Sequence, residues 1–257
     1  MNFDWSNKSV LITGASSGIG RALAVELGRR GARVGLFARR AEMLLEVAEE
    51  VERAGGKALA LPGDVRSAAE VEEAAGRMRE LWGHIDILVA NSGIGVITPA
   101  ATLDASEVGD VIAVNTVGVV NSVAAVLPDM LARGSGQLVA VSSLASYRGL
   151  PKSAAYSASK AAVSTFFESL RVDLRGTGVD VTVIHPGFIK TPMTANRKGK
   201  LLFLMELDDA TRHIVRAIER RRRTYAFPWQ LASIVRLLKF MPNALYDRIG
   251  AKSSFRE

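Results

Sequence analysis

Short apolar runs alternate with amphipathic helical patterns along most of the chain. The apolar runs, typical of buried strands, occur at 8–13, 33–38, 58–61, 85–90, 137–142, 180–184 and 224–227. Segments with apolar residues at helical spacing occur at 18–30, 41–54, 67–81, 106–131, 153–175 and 208–222. Strands that alternate with helices of this length indicate βαβ crossovers. The pattern therefore predicts an α/β fold, a Rossmann-type doubly wound parallel sheet of about seven strands with helices on both faces.

The boundaries of these segments carry further signals. Ser67 precedes the third helical segment and Glu70 follows three positions later, which is the spacing of a capping box. Residues 190–205 are predicted to form a loop or a short-helix insert. No linker rich in Pro, Gly or Ser divides the chain, so residues 1–257 are predicted to form a single domain.

Composition narrows the class of protein. The chain has 257 residues, is 48% hydrophobic and contains no cysteine, which excludes a disordered chain, a disulfide scaffold and cysteine catalysis. Three histidines argue against a multi-histidine metal cluster, so we expect no metal site. The first ten residues do not resemble a secretory signal, and no run of about 20 uncharged apolar residues predicts a membrane span. We therefore expect a cytoplasmic location.

The positive charge lies in the C-terminal quarter. Residues 197–257 contain 14 Lys and Arg against six Asp and Glu, including the run 220–223. No reading or stacking motif accompanies this charge, so nucleic acid is not an expected partner. One interpretation is a solvated helix end. Another is a basic amphipathic helix within 212–241 that touches an anionic membrane, and a third is a helix that closes over an apolar pocket.

A glycine-rich turn joins the first strand to the first helix. Glycine permits close backbone approach, and a helix N-terminus offers unpaired N–H groups and a partial positive charge to a pyrophosphate. The spacing G-x-x-x-G-x-G and its position predict a dinucleotide-binding turn. Its residues are Gly14, Ser16, Ser17, Gly18, Ile19 and Gly20.

The end of the second strand predicts which dinucleotide binds. An NAD site normally has an acidic residue here to accept from the ribose 2′-hydroxyl, but this chain has Arg39 and Arg40. Arginine pairs well with phosphate, which favours NADP(H), although two solvated loop cations are the alternative. Asp64, followed by Val65, is placed to accept from the adenine amino group or to serve as a plain turn aspartate.

Tyr156 and Lys160 share one face of a predicted helix, one turn apart. A free phenol has a pKa of about 10, and a nearby ammonium favours its ionised form. Such a pair can pass a proton to a developing alkoxide or remove one from an alcohol. Ser143 follows the preceding strand and is placed to hydrogen-bond a substrate oxygen.

These motifs together resemble the short-chain dehydrogenase/reductase family, and within it the NADP-preferring type. The resemblance covers residues 8–192 in family order and spacing. Its pieces are the turn at 13–20, the Asn91-Ser92-Gly93 turn, Asn115, Val141-Ser142-Ser143, Tyr156 with Lys160, and Pro186-Gly187 followed by Thr191. The sequence departs from the family pattern at Ser92, where alanine is usual, and at His185, where asparagine is common. We expect His185 to be structural or adjacent to the cofactor rather than a proton carrier.

The resemblance implies a role for each matching residue. Tyr156 would be the general acid/base, Lys160 would lower its pKa and hold the nicotinamide ribose, and Ser143 would orient and polarise the carbonyl. Asn115 would support a water that relays protons through Lys160. The other implied cofactor contacts are Asn91, Gly93, Pro186, Gly187, Ile189 and Thr191.

The resemblance also implies an overall function. Residues 8–192 would form the cofactor-binding and catalytic core, and 193–257 a variable substrate lid with the basic C-terminal region. The expected enzyme is an NADPH-dependent carbonyl reductase that acts on a small, apolar carbonyl or alcohol. A non-catalytic NADP-binding protein and a membrane-peripheral lipid-ketone reductase are the alternatives. Family members are usually homodimers or homotetramers built on the helices that carry Asn115 and Tyr156.

Overall fold

A seven-stranded parallel sheet forms the centre of the computed structural model, which describes residues 3–195 and 201–252. Its strands are β1 (Ser9–Thr13), β2 (Arg33–Ala38), β3 (Lys57–Pro62), β4 (Ile87–Ala90), β5 (Gly136–Val141), β6 (Val179–Pro186) and β7 (Thr224–Phe227). They pair in the order β3-β2-β1-β4-β5-β6-β7. The predicted fold is confirmed, and the direction of winding reverses between β1 and β4, where ligands of such sheets bind.

Helices connect the strands and cover both faces of the sheet. They are α1 (Gly18–Arg29), α2 (Ala41–Arg53), α3 (Ala68–Trp82), α4 (Ala105–Ile112), α5 (Gly118–Arg133), α6 (Ala154–Asp173), α7 (Pro192–Ala195), α8 (Leu207–Glu219), α9 (Trp229–Lys239) and α10 (Asn243–Lys252). Helices α1, α2 and α8 pack on one face, and α3, α5 and α6 pack on the other.

The core is divided between the two faces because side chains alternate along each strand. In β1, Val10 and Ile12 join the cluster under α1 and α8, while Leu11 joins the cluster under α3 and α5. Both faces are covered, so the strands are buried on both sides and consist of continuous apolar runs. This is why short runs, rather than alternating patterns, predict the strands of this chain.

The predicted helix over 106–131 is interrupted. The chain forms α4, then a π-helical turn over Ala113–Val117, then α5. Periodicity could not reveal the break, because one widened turn shifts the apolar face only slightly. By length and composition alone, Ala105–Arg133 could cross a membrane. Half of its most apolar 18-residue window is buried inside the fold, and core helices can have the same length and composition.

Local interactions refine two predicted boundaries. The Ser67 side chain accepts a hydrogen bond from the backbone N–H of Glu70, as a capping box requires. The reciprocal bond of the box is not made, because the backbone N–H of Ser67 donates to the carbonyl of Asp64. The carboxylate of Glu70 instead accepts from the backbone N–H of Asp64 at 2.9 Å and so holds the turn after β3. The predicted insert 190–205 contains α7, and its residues 196–200 lie outside the described residues.

Adjacent leucines on α2 provide a test of the core. Leu44 is fully buried and Leu45 is largely exposed. We expect Leu44→Ala to lower the free energy of unfolding by about 2–5 kcal/mol through lost burial and a residual cavity. Leu45→Ala should change it by less than about 0.5 kcal/mol. Urea denaturation followed by circular dichroism measures both values, and equal losses would contradict the placement of α2.

Candidate active site

A cavity of about 460 Å³ lies at the carboxyl ends of the strands and extends from the glycine turn to α9. Most of the predicted site residues line it. They are Gly14, Ser16, Ser17, Gly18, Ile19, Arg39, Arg40, Asp64, Val65, Asn91, Gly93, Ser143, Tyr156, Lys160, Pro186, Gly187, Ile189 and Thr191. The chain thus brings together residues that are far apart in sequence, because parallel strands all end at one edge of the sheet.

The glycine turn has the backbone geometry of a phosphate cradle. Gly14 and Gly18 have positive φ values of 67° and 54°, a conformation that L-residues with a Cβ rarely adopt. A Cβ on Gly14 would lie 2.9 Å from the Cα of Ser92, so the turn after β4 closes against the turn after β1. The side chain of Ser17 does not cap α1, which leaves the first N–H groups of the helix without that acceptor.

The two arginines after β2 lie beside this turn. The Nη2 atom of Arg40 donates to the hydroxyls of Ser16 and Ser17, both at 2.9 Å. Arg39 lines the same end of the cavity. The two cations and the helix N-terminus together form a strongly electropositive pocket end, which suits a phosphorylated ligand.

Asp64 also lines the cavity, at the end of β3. Its carboxylate accepts hydrogen bonds from the Nε and Nη2 atoms of Arg66, at 2.9 and 2.7 Å. The pKa of Asp64 is lowered, mainly by these side-chain hydrogen bonds from Arg66. The acceptor at this position is therefore ionised at neutral pH and held by its neighbour.

Lys160 lies beneath the middle of the cavity and is almost fully buried. Its Nζ donates to the carbonyl oxygen of Val141 at 2.8 Å and lies 5.9 Å from the ring centre of Tyr156. Burial lowers the pKa of Lys160 from 10.5 to about 8. The ammonium therefore remains the major form at neutral pH, one helical turn from the phenol.

Two serines follow β5, and their hydroxyls point to different partners. Ser142 is buried, and its hydroxyl donates to the carbonyl of Lys160 at 3.0 Å and contacts the Ser164 hydroxyl at 2.9 Å. The Ser143 hydroxyl accepts from the backbone N–H of Ala145 at 3.1 Å, and within the described part of the chain its own proton remains to be donated. This geometry favours Ser143, as predicted, as the serine that meets a substrate.

Asn115 lies in the π-helical turn, behind the cavity wall rather than on it. Its carboxamide accepts from the N–H of Ile94 and donates to the carbonyl of Ile94 and to the Ser159 hydroxyl, at 2.8, 2.9 and 3.0 Å. Both amide hydrogens are thus used. The predicted water relay through Asn115 therefore stays a prediction, and it would have to use the backbone of this turn.

Gly20 is the second predicted residue that does not reach the cavity. A Cβ on Gly20 would lie 2.3 Å from the carbonyl oxygen of Gly14, so only glycine lets α1 pack so close to the turn. Its contribution is to helix placement and not to direct contact. The G-x-G spacing at 18–20 therefore combines one residue at the cavity with one residue in the packing behind it.

His185 is held as a neutral side chain. It is buried against Tyr147, with ring centres 5.0 Å apart, and its Nδ1 lies 3.1 Å from the Ser146 hydroxyl and 3.3 Å from the Ser143 carbonyl. Burial lowers its pKa to about 4. Because a carbonyl only accepts, Nδ1 carries the proton and supports the turn that presents Ser143. This geometry supports the structural role that was expected for His185.

Sequence reasoning predicted the other half of the cavity only coarsely, as a substrate lid over 193–257, and did not place Leu144 or Leu150 in it. Its wall is apolar and comes from segments that carry no motif: Leu144, Leu150, Met193, Leu202, Leu231, Ile234, Val235 and Leu238. The signal for the α9 portion was the mixture of apolar residues such as Leu231, Ile234 and Leu238 with Arg236 and Lys239. A helix that closes over an apolar pocket was one of the interpretations of that mixture. Within residues 212–241, helix α9 is the part that closes over the apolar pocket.

The residues fit a nicotinamide dinucleotide. The evidence of fit is the glycine cradle, the uncapped N-terminus of α1 and the electropositive end formed by Arg39 and Arg40. Within residues 3–195 and 201–252, no group of three His, Cys, Asp or Glu side chains is arranged to hold a metal ion. The arrangement can bind an anionic dinucleotide and move a proton at a nearby oxygen.

Comparison with known proteins identifies the family. The model of the short chain dehydrogenase family matches residues 8–201. The chain is 46% identical to an uncharacterized oxidoreductase of Myxococcus xanthus over 244 residues, 95% of this chain and 96% of that protein. It is 38% identical to a putative ketoacyl reductase of Streptomyces coelicolor, over 72% of each chain.

A solved structure agrees with these relatives. The crystal structure of a short chain dehydrogenase/reductase from Burkholderia phymatum in complex with NAD superposes with a TM-score of 0.83 and 26% identity, covering 91% of this chain and 94% of that one. The fold, the family match and the sequence relatives agree with one another. This chain therefore belongs to the short-chain dehydrogenase/reductase family and is an oxidoreductase.

Proposed function

We propose that this protein is an NADPH-dependent reductase that converts an apolar ketone or aldehyde into the alcohol. One observation carries the proposal: Tyr156, Lys160 and Ser143 lie on the wall between an electropositive dinucleotide end and an apolar end of one cavity. A polar reacting group is thus held where the two ends meet. The reaction is reversible, and the NADP preference favours reduction.

The residues of the chain would act on the carbonyl oxygen. Ser143 donates a hydrogen bond to that oxygen, and Tyr156 transfers its phenolic proton to it as the alkoxide forms. The buried ammonium of Lys160 stabilises the negative charge left on Tyr156. A reduced nicotinamide dinucleotide, held by the glycine turn, Arg39 and Arg40, would supply the hydride to the carbonyl carbon. The apolar wall excludes water and orients the substrate.

The preference for NADP rests on Arg39 and Arg40. Both line the end of the cavity next to the glycine turn, and Arg40 is held in place by Ser16 and Ser17. A 2′-phosphate on the adenosine ribose would meet these two cations. The Burkholderia phymatum relative was solved with NAD, and the two arginines after β2 are what favours NADP in this chain.

The substrate class rests on the remaining wall. No charged side chain stands among the α9 residues that line the cavity, namely Leu231, Ile234, Val235 and Leu238. An alkyl chain attached to the carbonyl therefore fits this wall better than a charged or sugar-like group does. The Streptomyces coelicolor relative, a putative ketoacyl reductase, has a name consistent with such a carbonyl.

Oligomeric state and location remain proposals of the same kind. Val117 and Val120 near the start of α5 and Val172 on α6 are exposed, which supports association of two or four copies through these helices. The cytoplasmic location is a prediction from sequence composition alone. The single domain 1–257 likewise stays a proposal, with 8–192 as the cofactor-binding and catalytic core and 193–257 as the lid region, of which α9 forms part of the substrate wall.

The first test removes the proton donor. We expect Tyr156→Phe to lower kcat about 10²–10⁴-fold, because a positioned acid contributes that much, and to leave the Kd for NADPH nearly unchanged. The measurement is NADPH oxidation with a panel of medium-chain 2-ketones, 3-ketoesters and aldehydes. Tyr225→Phe is the control, since that phenol contacts His213 outside the cavity.

Two results would contradict this assignment. Retained turnover in Tyr156→Phe would remove the phenol from its proposed role. Cofactor binding by the wild-type protein with no turnover across the panel would favour the alternative of a non-catalytic NADP-binding protein.

The second test addresses the cofactor. We expect Arg39→Ala combined with Arg40→Ala to weaken NADPH binding by about tenfold to a hundredfold, since each charge-assisted contact is lost. NADH binding should change little because NADH lacks the 2′-phosphate. Fluorescence titration with both cofactors measures the two constants, and Arg53→Ala on α2 is the matched control. An equal loss for both cofactors, or tighter wild-type binding of NADH, would overturn the NADP assignment.

A further inference from the structure

Helix α9 has two apolar sides. Its inner side carries Leu231, Val235 and Leu238, which line the cavity. Its outer side carries Trp229, Leu237 and Phe240, which are 73%, 74% and 82% exposed. Large apolar side chains with that much exposure are unusual when they stand together, and they mark an interaction surface.

The exposed side is continuous with the mouth of the cavity. Ile234 on α9 and Leu202 on the segment before α8 both line the cavity and are both partly exposed. Phe203 and Leu204 next to Leu202 are also exposed. An apolar path therefore leads from the outer side of α9 to the cavity where the carbonyl would react.

The surface is basic as well as apolar. Arg236 and Lys239 lie on α9 and Arg248 lies on α10, and all three are exposed. None of them belongs to an ion pair among the described residues. Asp247 is the acidic residue between 229 and 250. Leu245 and Ile249 add two exposed apolar side chains, one turn apart, on α10.

The turn between the two helices is held firmly. The guanidinium of Arg148 donates to the carbonyls of Leu238 and Met241 at 2.5 and 2.7 Å and to the side chain of Asn243 at 2.9 Å. It also lies 3.9 Å from the ring centre of Tyr246. The exposed side chains thus stand on a fixed platform rather than on a loose end of the chain.

We propose that α9 and α10 dock on an anionic lipid bilayer. Trp229, Leu237 and Phe240 would enter the boundary between headgroups and acyl chains, where such side chains are favoured. Arg236, Lys239 and Arg248 would pair with lipid phosphates. On the proposed reductase function, the cavity would then take a lipid-dissolved carbonyl through the mouth at Ile234.

Charge separates this occupant from a second copy of the chain. If two copies met through this face, their arginines and lysine would be brought together with one aspartate each, which like-charge repulsion opposes. A negatively charged bilayer meets both the apolar and the basic character of the surface. A homodimer through this face is therefore an outcome that would count against the proposal.

The experiment is co-sedimentation of the full chain with vesicles. The vesicles are phosphatidylcholine alone or phosphatidylcholine mixed with phosphatidylglycerol, without cofactor or substrate. We expect binding to the anionic vesicles only. The combined substitutions Trp229→Ser, Leu237→Ser and Phe240→Ser should weaken it at least tenfold. Arg236→Gln, Lys239→Gln and Arg248→Gln should each weaken it roughly fivefold.

A matched control variant replaces three exposed apolar residues by serine at positions far from α9 and α10 in the sequence. Leu45, Leu81 and Leu103 are exposed apolar residues on α2, on α3 and in the loop before α4. Their combined replacement by serine should leave vesicle binding unchanged. Thermal denaturation checks that both triple variants remain folded, and turnover of a water-soluble ketone should persist in both.

Fluorescence places the contact. Trp229 is highly exposed, while Trp5 is buried and Trp82 partly buried. We expect anionic vesicles to shift the emission to shorter wavelength in the wild-type protein. Trp229→Phe should abolish the shift and retain the binding, because phenylalanine also enters the interface.

Three results would overturn the proposal: absence of wild-type binding to anionic vesicles, equal binding to neutral ones, or undiminished binding of the Trp229, Leu237 and Phe240 variant. Light scattering that shows a dimer lost in that variant, without vesicle binding, would assign the surface to a second copy. The Tyr156→Phe variant should bind vesicles like the wild type. Docking and reductase function can therefore fail separately.

Discussion

The burial of the Lys160 ammonium is the constraint on which the site depends. A cation removed from water needs compensation from nearby polar groups, and the carbonyl of Val141 at the end of β5 provides one such group. That hydrogen bond holds α6 against the carboxyl end of β5. Tyr156, one turn earlier on α6, is positioned by the same tie, and Ser143 follows β5 by two residues. The hydrogen bond from the Lys160 ammonium to Val141 thereby fixes the positions of Tyr156, Lys160 and Ser143 relative to one another.

The dinucleotide half of the cavity is held by a separate set of bonds. The Thr13 hydroxyl accepts from the N–H groups of Asn91 and Ser92, both at 3.1 Å, and the Asn91 carboxamide donates to the carbonyls of Thr13 and Gly14. These bonds join the ends of β1 and β4 where the winding reverses. The cradle is therefore fixed before a ligand arrives, so little ordering cost is left to binding.

The sequence predicts the parts of this structure that depend on local chemistry. Apolar runs predict the strands, and a glycine pattern predicts the turn at Gly14. The spacing of four residues predicts that Tyr156 and Lys160 lie on one face of a helix. The position of Asn115 in a π-helical turn could not be predicted, because the hydrogen bonds that hold its side chain there involve Ile94 and Ser159, distant in sequence. The individual residues of the apolar substrate wall could not be predicted for a similar reason. A leucine that lines the cavity has no sequence motif, because only tertiary packing places it there.

Arg148 explains how a wall made by the C-terminal segment can serve a site made by the sheet. Arg148 follows Ser143 by five residues, and its side chain binds the carbonyls of Leu238 and Met241 at the end of α9. The position of the substrate wall is therefore fixed relative to the loop that carries Ser143. The backbone path between Ser143 and α9 runs through α6, β6, α7, α8 and β7, and any shift along it would otherwise move the wall. The guanidinium of Arg148 connects the loop after Ser143 directly to the end of α9. Because Arg148 binds backbone carbonyls and not the side chains of α9, the distance from the wall to the reacting groups is set by the backbone of the helix.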